Sequence, residues 1–267
     1  MAVRGPTGIP EPRRLVFIGL GGIGSWIVEP VMRYFHATNP QVHLVDGDYV
    51  ERKNLARQSF EAAAIREFKA RSLRDRLSKV FTGSSITAHT SFVEATNVEN
   101  YVREGDAIFL CPDNHEVRRI VATEAAKRHE VTVFTAGNEL YDGNCHVFVK
   151  KANVALTNDF IQRHPEARDS AERSEGCTEL INMGDVQLIA VNFMVAALVI
   201  TAVHQTYCYG AFRDKEDAWC RLPQELYGSV IHGRVRTSPA PDRVKEPEPE
   251  SKPKAEEEKK LEVMACS

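Results

Sequence analysis

Short apolar runs alternate with longer amphipathic stretches over residues 1–150. The apolar runs predict buried parallel strands, because such strands are covered on both faces; they lie at 15–19, 42–45, 86–89, 107–111 and 131–135. Between them, apolar residues recur with helical spacing and predict helices; these lie at 25–36, 62–80 and 115–129. This order predicts an α/β fold, in which a mostly parallel sheet carries helices on both faces.

The pattern changes after Gly137. Residues 143–149 alternate in polarity, and two further short strands are expected at 217–222 and 226–235. These segments predict an antiparallel extension at the C-terminal side of the sheet. The charged stretch 163–178 contains few apolar residues and predicts a mobile loop.

A long apolar stretch comes after this loop and predicts a helix over 185–206. The stretch contains two amides, Gln187 and Asn192. We therefore expect a buried core helix rather than a membrane span.

Both ends of the chain are rich in proline. Residues 1–12 predict an extended arm, which is either a loose terminus or an arm that crosses a dimer interface. Residues 13–236 form the predicted domain, with its nucleotide-binding part at 13–150. From residue 237 onward, proline and charged residues predict a disordered tail, 237–267.

Composition narrows the class of protein. A net charge of −3 does not favour nucleic acid or an anionic membrane as the partner. No apolar leader follows Met1, and the six cysteines lack Cys-x-x-Cys spacing. These features predict a cytoplasmic protein with reduced thiols and no zinc site.

A glycine-rich loop joins the first predicted strand to the first helix. Gly19, Gly21, Gly22 and Gly24 bring the backbone close to a helix N-terminus, where free N–H groups can bind phosphate. Asp46 ends the second strand, where a carboxylate can accept hydrogen bonds from ribose hydroxyls. These residues alone fit NAD, a nucleoside triphosphate, or a tight turn without a ligand.

Polar residues after Asp46 favour the triphosphate. Asp48, Asn54, Arg57 and Gln58 lie within one loop, and a triphosphate needs cationic and polar donors together with a carboxylate for its magnesium.

Further polar residues are expected near the same edge of the sheet. Lys69 lies near the start of the next helix, and Asp113 and Asn114 come after the fourth strand. All leave the carboxyl ends of strands or the loops after them, which is where open α/β sheets bind ligands.

The chain resembles the ThiF/MoeB-like adenylyltransferases of the ubiquitin-activating-enzyme superfamily. The resemblance runs from Leu15 to about Phe148 and rests on four segments in order. They are the loop 19–25, the stretch 46–58, Lys69-Ala70, and the Cys-Pro-Asp-Asn sequence at 111–114. It implies a Rossmann-like sheet, an ATP site and a homodimer.

The resemblance also implies roles for individual residues. Gly22 would lie against the nucleotide and Asp46 would bind the ribose. Asn54 and Arg57 would contact the phosphate tail.

The implied reaction is adenylation of a C-terminal carboxylate. The substrate would be a small β-grasp protein ending in Gly-Gly, either a ubiquitin-like modifier or a sulfur carrier, or else a peptide. Lys69 and Arg57 would neutralise phosphate charge, Asp113 would bind Mg²⁺, and Asn114 would lie beside the site.

Relatives differ in the step after adenylation, and some pass the acyl group to a cysteine. Cys177 lies on the predicted mobile loop before a long helix and is the candidate nucleophile; alternatively it takes no part. Relatives also carry an N-terminal Arg-Tyr-x-Arg-Gln segment that this chain does not show. Arg4, Arg13 or Arg14 could take the place of its arginine.

Two alternatives to the enzyme remain at this point. One is a ThiF-like scaffold that binds nucleotide without catalysis. The other is an NAD-dependent oxidoreductase, which would need a substrate domain with a proton donor, and the residues after 148 offer only scattered histidines.

Overall fold

A computed structural model describes residues 9–168, 185–207 and 222–239 of the 267-residue chain. The strands are β1 (Arg14–Ile18), β2 (Gln41–Val45), β3 (Ile86–His89), β4 (Asp106–Leu110), β5 (Val131–Asn138), β6 (Asp142–Lys151), β7 (Val154–Ala155), β8 (Pro223–Ser229) and β9 (Arg234–Pro239). The α-helices are α1 (Gly24–Tyr34), α2 (Lys69–Val80), α3 (His115–Ala126), α4 (Phe160–Arg163) and α5 (Asp185–Tyr207).

The strands form one sheet in the order β3-β2-β1-β4-β5-β6-β8-β9, and β7 pairs with β6. The pairings from β3 to β5 are parallel, and those from β5 to β9 are antiparallel. Ile18 is in register with Val45 on one side and with Leu110 on the other. Three neighbouring strands therefore end at one level.

Helices cover both faces of the sheet. Residues of α1, α2 and α5 share one core with Leu15 and Phe17 of β1. The alternate residues Val16 and Ile18 face the other side, where α3 supplies Val121. The predicted mostly parallel sheet, with helices on both faces and an antiparallel C-terminal extension, is confirmed.

The helix predicted over 62–80 is shorter than expected. One turn of 3₁₀ helix spans Ala62–Ala64, and α2 begins only at Lys69. Between them, Arg66 has a φ of 77°. The backbone there pairs with the loop after β2 instead of continuing a helix, since the N–H of Val50 donates to the carbonyl of Glu67 at 2.8 Å.

The C-terminal strands form a hairpin whose boundaries the sequence pattern did not give. The strand expected over 226–235 is interrupted by a turn at residues 230–233. The strand expected over 217–222 lies almost wholly outside the described residues. β9 continues to Pro239, past the predicted start of the tail at 237.

The described part of the N-terminal arm contacts the body of the protein. Residues 9–12 lack regular secondary structure, as an extended arm would, but Ile9 is 4% exposed and packs in the main core.

One helix of the described chain, Ile189–Tyr207, could span a membrane by length and composition alone. Half of that window is buried within the protein, where Val191, Val195 and Val199 belong to the core.

Candidate active site

The site residues meet because three strands end together. Gly19, Asp46 and Cys111 each come directly after the last residue of β1, β2 or β4. The strands are adjacent and parallel, so the loops after them leave the same edge of the sheet. This geometry brings together the glycine loop, the stretch 46–58 and the loop 111–114, as the sequence predicts.

Two of the four loop glycines are required by the turn itself. Gly19 has a φ of +81°, and a Cβ there would lie 2.7 Å from the backbone nitrogen of Pro112. A Cβ on Gly24 would lie 1.9 Å from the carbonyl oxygen of Gly19. Packing therefore accounts for these two residues without a ligand.

The other two glycines have different surroundings. Among the described residues, a Cβ on Gly21 would approach only the Gln58 side chain, at 3.9 Å, so none of them fills the space at this part of the loop. A Cβ on Gly22 would lie 2.7 Å from Nδ2 of Asn192 on α5. Of the four glycines, Gly21 thus has the room that a bound phosphate or nucleoside needs.

Asp46 joins the end of β2 to the glycine loop. Its Oδ2 accepts a hydrogen bond from the N–H of Leu20 at 2.6 Å, and its Oδ1 accepts one from the N–H of Asp48 at 2.8 Å. Burial raises the pKa of Asp46, while Lys69 and these two N–H groups act in the opposite direction. The carboxylate fixes the local backbone, and its remaining acceptor capacity is compatible with ribose hydroxyls.

Lys69 and Asp48 form an ion pair. Nζ of Lys69 donates to Oδ2 of Asp48 at 2.9 Å. The lysine side chain is only 8% exposed, whereas that of the aspartate is 55% exposed. The pair supplies the partner of Asp48, which the sequence left unassigned, and places a buried cation at the first residue of α2.

Asn54 and Gln58 are both buried, but their bonding differs. Oδ1 of Asn54 accepts from the N–H of Glu51 at 2.9 Å, and its carbonyl accepts from the N–H of Gln58 at 2.8 Å. Oε1 of Gln58 is buried and has no hydrogen-bond partner among the described residues. A buried acceptor without a donor is costly, so this oxygen indicates a donor from a ligand or a water molecule.

The backbone of Arg57 is held by hydrogen bonds, whereas its side chain forms none with the described residues. Its carbonyl accepts from Nε1 of Trp26 at 3.1 Å and from Nδ2 of Asn192 at 3.2 Å. Its half-buried guanidinium makes no hydrogen bond within the described ranges. This cation is therefore able to bind an anion.

The loop after β4 carries the predicted metal-binding carboxylate. Asp113 is exposed, and Asn114 caps α3 by accepting from the N–H of Glu116 at 2.8 Å. Arg118 connects this loop to β5, because its guanidinium donates to the carbonyl of Pro112 at 3.0 Å and to that of Ala136 at 3.1 Å. Burial lowers the pKa of Arg118.

In the described chain, no group of three or more His, Cys, Asp or Glu side chains could bind a metal ion. A single carboxylate fits Mg²⁺ that arrives with a nucleotide, since this ion is usually bound by one or two carboxylates together with substrate phosphates.

The cysteines that the structure describes are poor nucleophiles. Burial raises the pKa of Cys111 to about 12 and raises the pKa of Cys145 well above its ordinary value. Cys145 lies in the core, and the partly buried Cys111, directly after β4, packs against it. Cys177 lies outside the described residues.

Two of the arginines considered for a cross-dimer role lie far from the site. Arg14 begins β1, at the opposite edge of the sheet, and its guanidinium donates twice to buried Asp106, at 2.8 and 2.6 Å. Arg13 lies beside Gly105 at that same edge. Neither lies near the nucleotide site of its own chain, and contact of one of them with a nucleotide in a partner subunit stays a prediction. Arg4 is outside the described residues.

Sequence reasoning missed three residues that position the site, namely Trp26, Arg118 and Asn192. A signal existed only for Asn192, as an amide within an otherwise apolar helix. Neither Trp26 nor Arg118 interrupts the periodicity of its helix.

Comparison with known proteins agrees with this geometry. The profile of the ThiF family matches residues 11–216. The MOCS3 adenylyltransferase and sulfurtransferase of Drosophila willistoni is 28% identical over 109 residues, which make up 40% of this chain and 23% of that protein. A probable molybdopterin-synthase adenylyltransferase of Gracilaria tenuistipitata var. liui is 23% identical over 137 residues, or 51% of this chain and 37% of that protein. Each match spans well under half of the relative's own length.

Solved structures resemble the fold over most of the chain. Escherichia coli MccB with ATP aligns with a TM-score of 0.62 and 18% identity, over 85% of this chain and 64% of that one. PaaA aligns with a TM-score of 0.60 and 17% identity, over 85% and 64% respectively. At such identities, the likeness establishes the fold alone.

Proposed function

The chain belongs to the ThiF family, and from this premise we propose that it is an ATP-dependent adenylyltransferase that activates a C-terminal carboxylate. The observation that carries the proposal is the surroundings of Gly21. None of the described residues fills the space there, and the buried Oε1 of Gln58 lies nearby without a partner among them. The neighbouring Arg57 has a guanidinium available for phosphate. A nucleotide would use all three features.

The chemistry requires positioning and charge neutralisation. A carboxylate oxygen of the substrate attacks the α-phosphorus of ATP, a new P–O bond forms, and the bond to the β-phosphate oxygen breaks. Pyrophosphate leaves with the electron pair, and an acyl-adenylate remains. The carboxylate is already ionised, so no general base is needed, and Lys69 and Arg57 offset the charge that develops.

Asp113 would bind the magnesium ion that accompanies ATP. When bound, Mg²⁺ neutralises phosphate charge. The role fits an exposed carboxylate at the end of β4, on a loop that Arg118 supports from behind.

For the substrate, we propose a small β-grasp protein that ends in Gly-Gly, of the ubiquitin-like or sulfur-carrier class. The names of the MOCS3 and molybdopterin-synthase relatives support the sulfur-carrier class. A peptide is the alternative, because solved MccB complexes contain MccA and a succinimide. After adenylation, we propose transfer of the acyl group to Cys177: the thiolate would attack the acyl carbon and form a C–S bond, and AMP would leave with the electron pair of the broken bond between the acyl carbon and the phosphate oxygen.

We also propose that the protein works in the cytoplasm as a homodimer. The dimer is supported by an exposed aromatic residue on α5. Phe193 is 48% exposed, and its ring lies 4.5 Å from that of Trp26 on α1. Exposed apolar surface of this kind is typical of interfaces.

ATP–pyrophosphate exchange tests the adenylation step. We expect exchange that depends on a β-grasp protein with a free Gly-Gly terminus and that is absent when the terminus is blocked. Asp113→Ala should lower exchange by about 100-fold or more, since a transition-state contact is removed. Its thermal unfolding should change little, because the side chain is exposed and Arg118 keeps its two hydrogen bonds to backbone carbonyls.

The matched control is Glu116→Ala, another exposed acid in the first turn of α3. Full exchange in Asp113→Ala contradicts the magnesium assignment. ATP binding without exchange, for both protein and peptide carboxylates, favours a non-catalytic nucleotide-binding scaffold.

A further inference from the structure

A buried amide interrupts the apolar helix α5. Asn192 is 3% exposed and lies beside the core residue Val191. A buried amide without hydrogen bonds is disfavoured in such a position, because its donors and acceptor lose their hydrogen bonds to water. The contacts of Asn192 therefore indicate why it is there.

Asn192 forms hydrogen bonds with two separate segments. Its Nδ2 donates to the carbonyl of Arg57 at 3.2 Å, and its Oδ1 accepts from Nδ2 of Asn138, at the end of β5, at 3.1 Å. A carbonyl can only accept, so Nδ2 must face Arg57, and the orientation of the amide is set by the network. Asn192 thus connects α5, the carboxyl end of β5 and the loop after β2.

The backbone of Arg57 is held from two helices. Besides Asn192, Nε1 of Trp26 on α1 donates to the same carbonyl at 3.1 Å. The guanidinium has no hydrogen bond to the described residues and is half-buried. A fixed backbone with a free cationic end is the arrangement expected of a preorganised anion-binding residue.

The glycine loop lies against the same amide. A Cβ at position 22 would lie 2.7 Å from Nδ2 and 2.9 Å from Oδ1 of Asn192. The lack of a side chain at Gly22 therefore lets Asn192 reach Arg57. The family resemblance explains a glycine at position 22 by contact with the nucleotide. The structure adds a second explanation, which is the close approach of Asn192.

We propose that Asn192 is a positioning residue that sets Arg57 for the phosphate tail of ATP, an inference that rests on the nucleotide site of the proposed function. Asn192 does not contact the nucleotide in this scheme. It acts on the Arg57 carbonyl, and its effect passes through that residue. It should therefore influence binding of the β- and γ-phosphates and leave binding of AMP unchanged.

The test is calorimetric binding of ATP and AMP to the full chain. The variants are Asn192→Ala, Asn192→Asp, Arg57→Ala and the Asn192→Ala/Arg57→Ala double variant. Asn192→Asp retains the size of the side chain but replaces the donor with an oxygen and adds a negative charge, whereas Asn192→Ala removes the donor without a charge. A loss of ATP affinity that both variants share therefore belongs to the hydrogen bond rather than to packing or charge. The control is Thr206→Val, which changes an equally buried polar residue farther along α5.

We expect both Asn192 variants to weaken ATP binding by about 10- to 100-fold, since small displacements of a binding group have effects of this size. Binding of AMP and the behaviour of Thr206→Val should match the wild type. In the double variant, Asn192→Ala should add nothing to the loss caused by Arg57→Ala, because residues that act through one another are not additive.

Three results would overturn the proposal. They are unchanged ATP affinity in Asn192→Asp, equal losses for AMP and ATP, and fully additive losses in the double variant. If the wild type binds ATP but shows no pyrophosphate exchange, the proposed function fails, and the binding data still decide the role of Asn192. If the wild type binds no ATP, both fail.

Discussion

At the scale of residues, the two cations of the site differ in how far they are already engaged. Lys69 is buried and paired with Asp48, so a phosphate must compete with that carboxylate or bind alongside it. The Arg57 side chain has no such partner among the described residues. ATP should therefore draw on Arg57 first, and the exposed Asp48 leaves room for Lys69 to turn towards a phosphate.

Cys177 is the proposed acceptor of the acyl group after adenylation. Cys177→Ala should retain pyrophosphate exchange, because adenylation does not use the thiol. It should lose any covalent adduct with the carboxylate substrate that dithiothreitol reverses, because a thioester needs Sγ. Denaturing gels with and without reductant measure the adduct.

Cys208→Ala is the control for this change, as another cysteine outside the described residues. An adduct that persists in Cys177→Ala would mean that Cys177 takes no part in transfer.

Some residues of the site could be identified from the sequence and others could not. Asp46, Arg57 and Lys69 were found because strand ends and polar loops are visible in a sequence. Trp26 was not found, since its contribution is one indole N–H directed at a carbonyl 31 positions away. Contacts of that kind depend on how helices pack, and periodicity carries no information about them.

At the scale of elements, the start of α2 was the helix start that the pattern missed, whereas those of α1, α3 and α5 lie within one residue of the prediction. Residues 62–68 have helical apolar spacing, but the backbone around Arg66 pairs with the loop after β2. The N–H of Lys69 donates to the carbonyl of Asp48 at 2.9 Å, and this bond joins the residues whose side chains form the ion pair. Tertiary hydrogen bonds overrode local propensity, and they brought the site cation into place.

Buried histidines should make stability depend on pH, and His146 on β6 is one of them. His146 is 1% exposed, and burial lowers its pKa to about 3. The unfolded histidine titrates near 6.5, so below that pH the unfolded chain binds a proton that the folded chain excludes. Stability therefore falls as pH decreases from about 6.5 towards the folded pKa.

The measurement is urea unfolding at pH 7 and at pH 5. His146→Gln removes this group, so the wild type should lose about 2 kcal/mol more than the variant between the two values. His43, whose pKa burial lowers to about 4, is present in both proteins and cancels in the comparison. Equal losses would show that His146 is not the source.

At the scale of the whole molecule, the mostly parallel sheet with helices on both faces was the most predictable property. Alternating apolar runs and helices give few possible arrangements, because parallel crossovers are right-handed. The hairpin of β8 and β9 was predicted poorly. Residues 234–237 of β9 are exposed, and the polar residues Arg234 and Arg236 break the apolar pattern on which strand prediction depends.

Assembly can be tested on the outer face of α5. Phe193→Glu should convert the proposed homodimer into a monomer, because a buried unpaired charge is strongly disfavoured. Sedimentation velocity gives the oligomeric state. Val154→Glu is the control, since Val154 is a similarly exposed apolar residue on β7, at 59% exposure. A dimer that survives Phe193→Glu excludes this face as the interface.

The contact between Asn192 and Arg57 has a consequence for synthesis. The two residues are 135 positions apart in the sequence. Strand β1 also pairs with β4, and β4 is complete only when Leu110 has been synthesised. On the ribosome, the glycine loop and Arg57 are therefore synthesised before strand β4 and before Asn192, which hold them in the folded protein. The nucleotide site becomes complete only when α5 has emerged, so a chain released early carries its phosphate-binding sequence but lacks the amide that orders it.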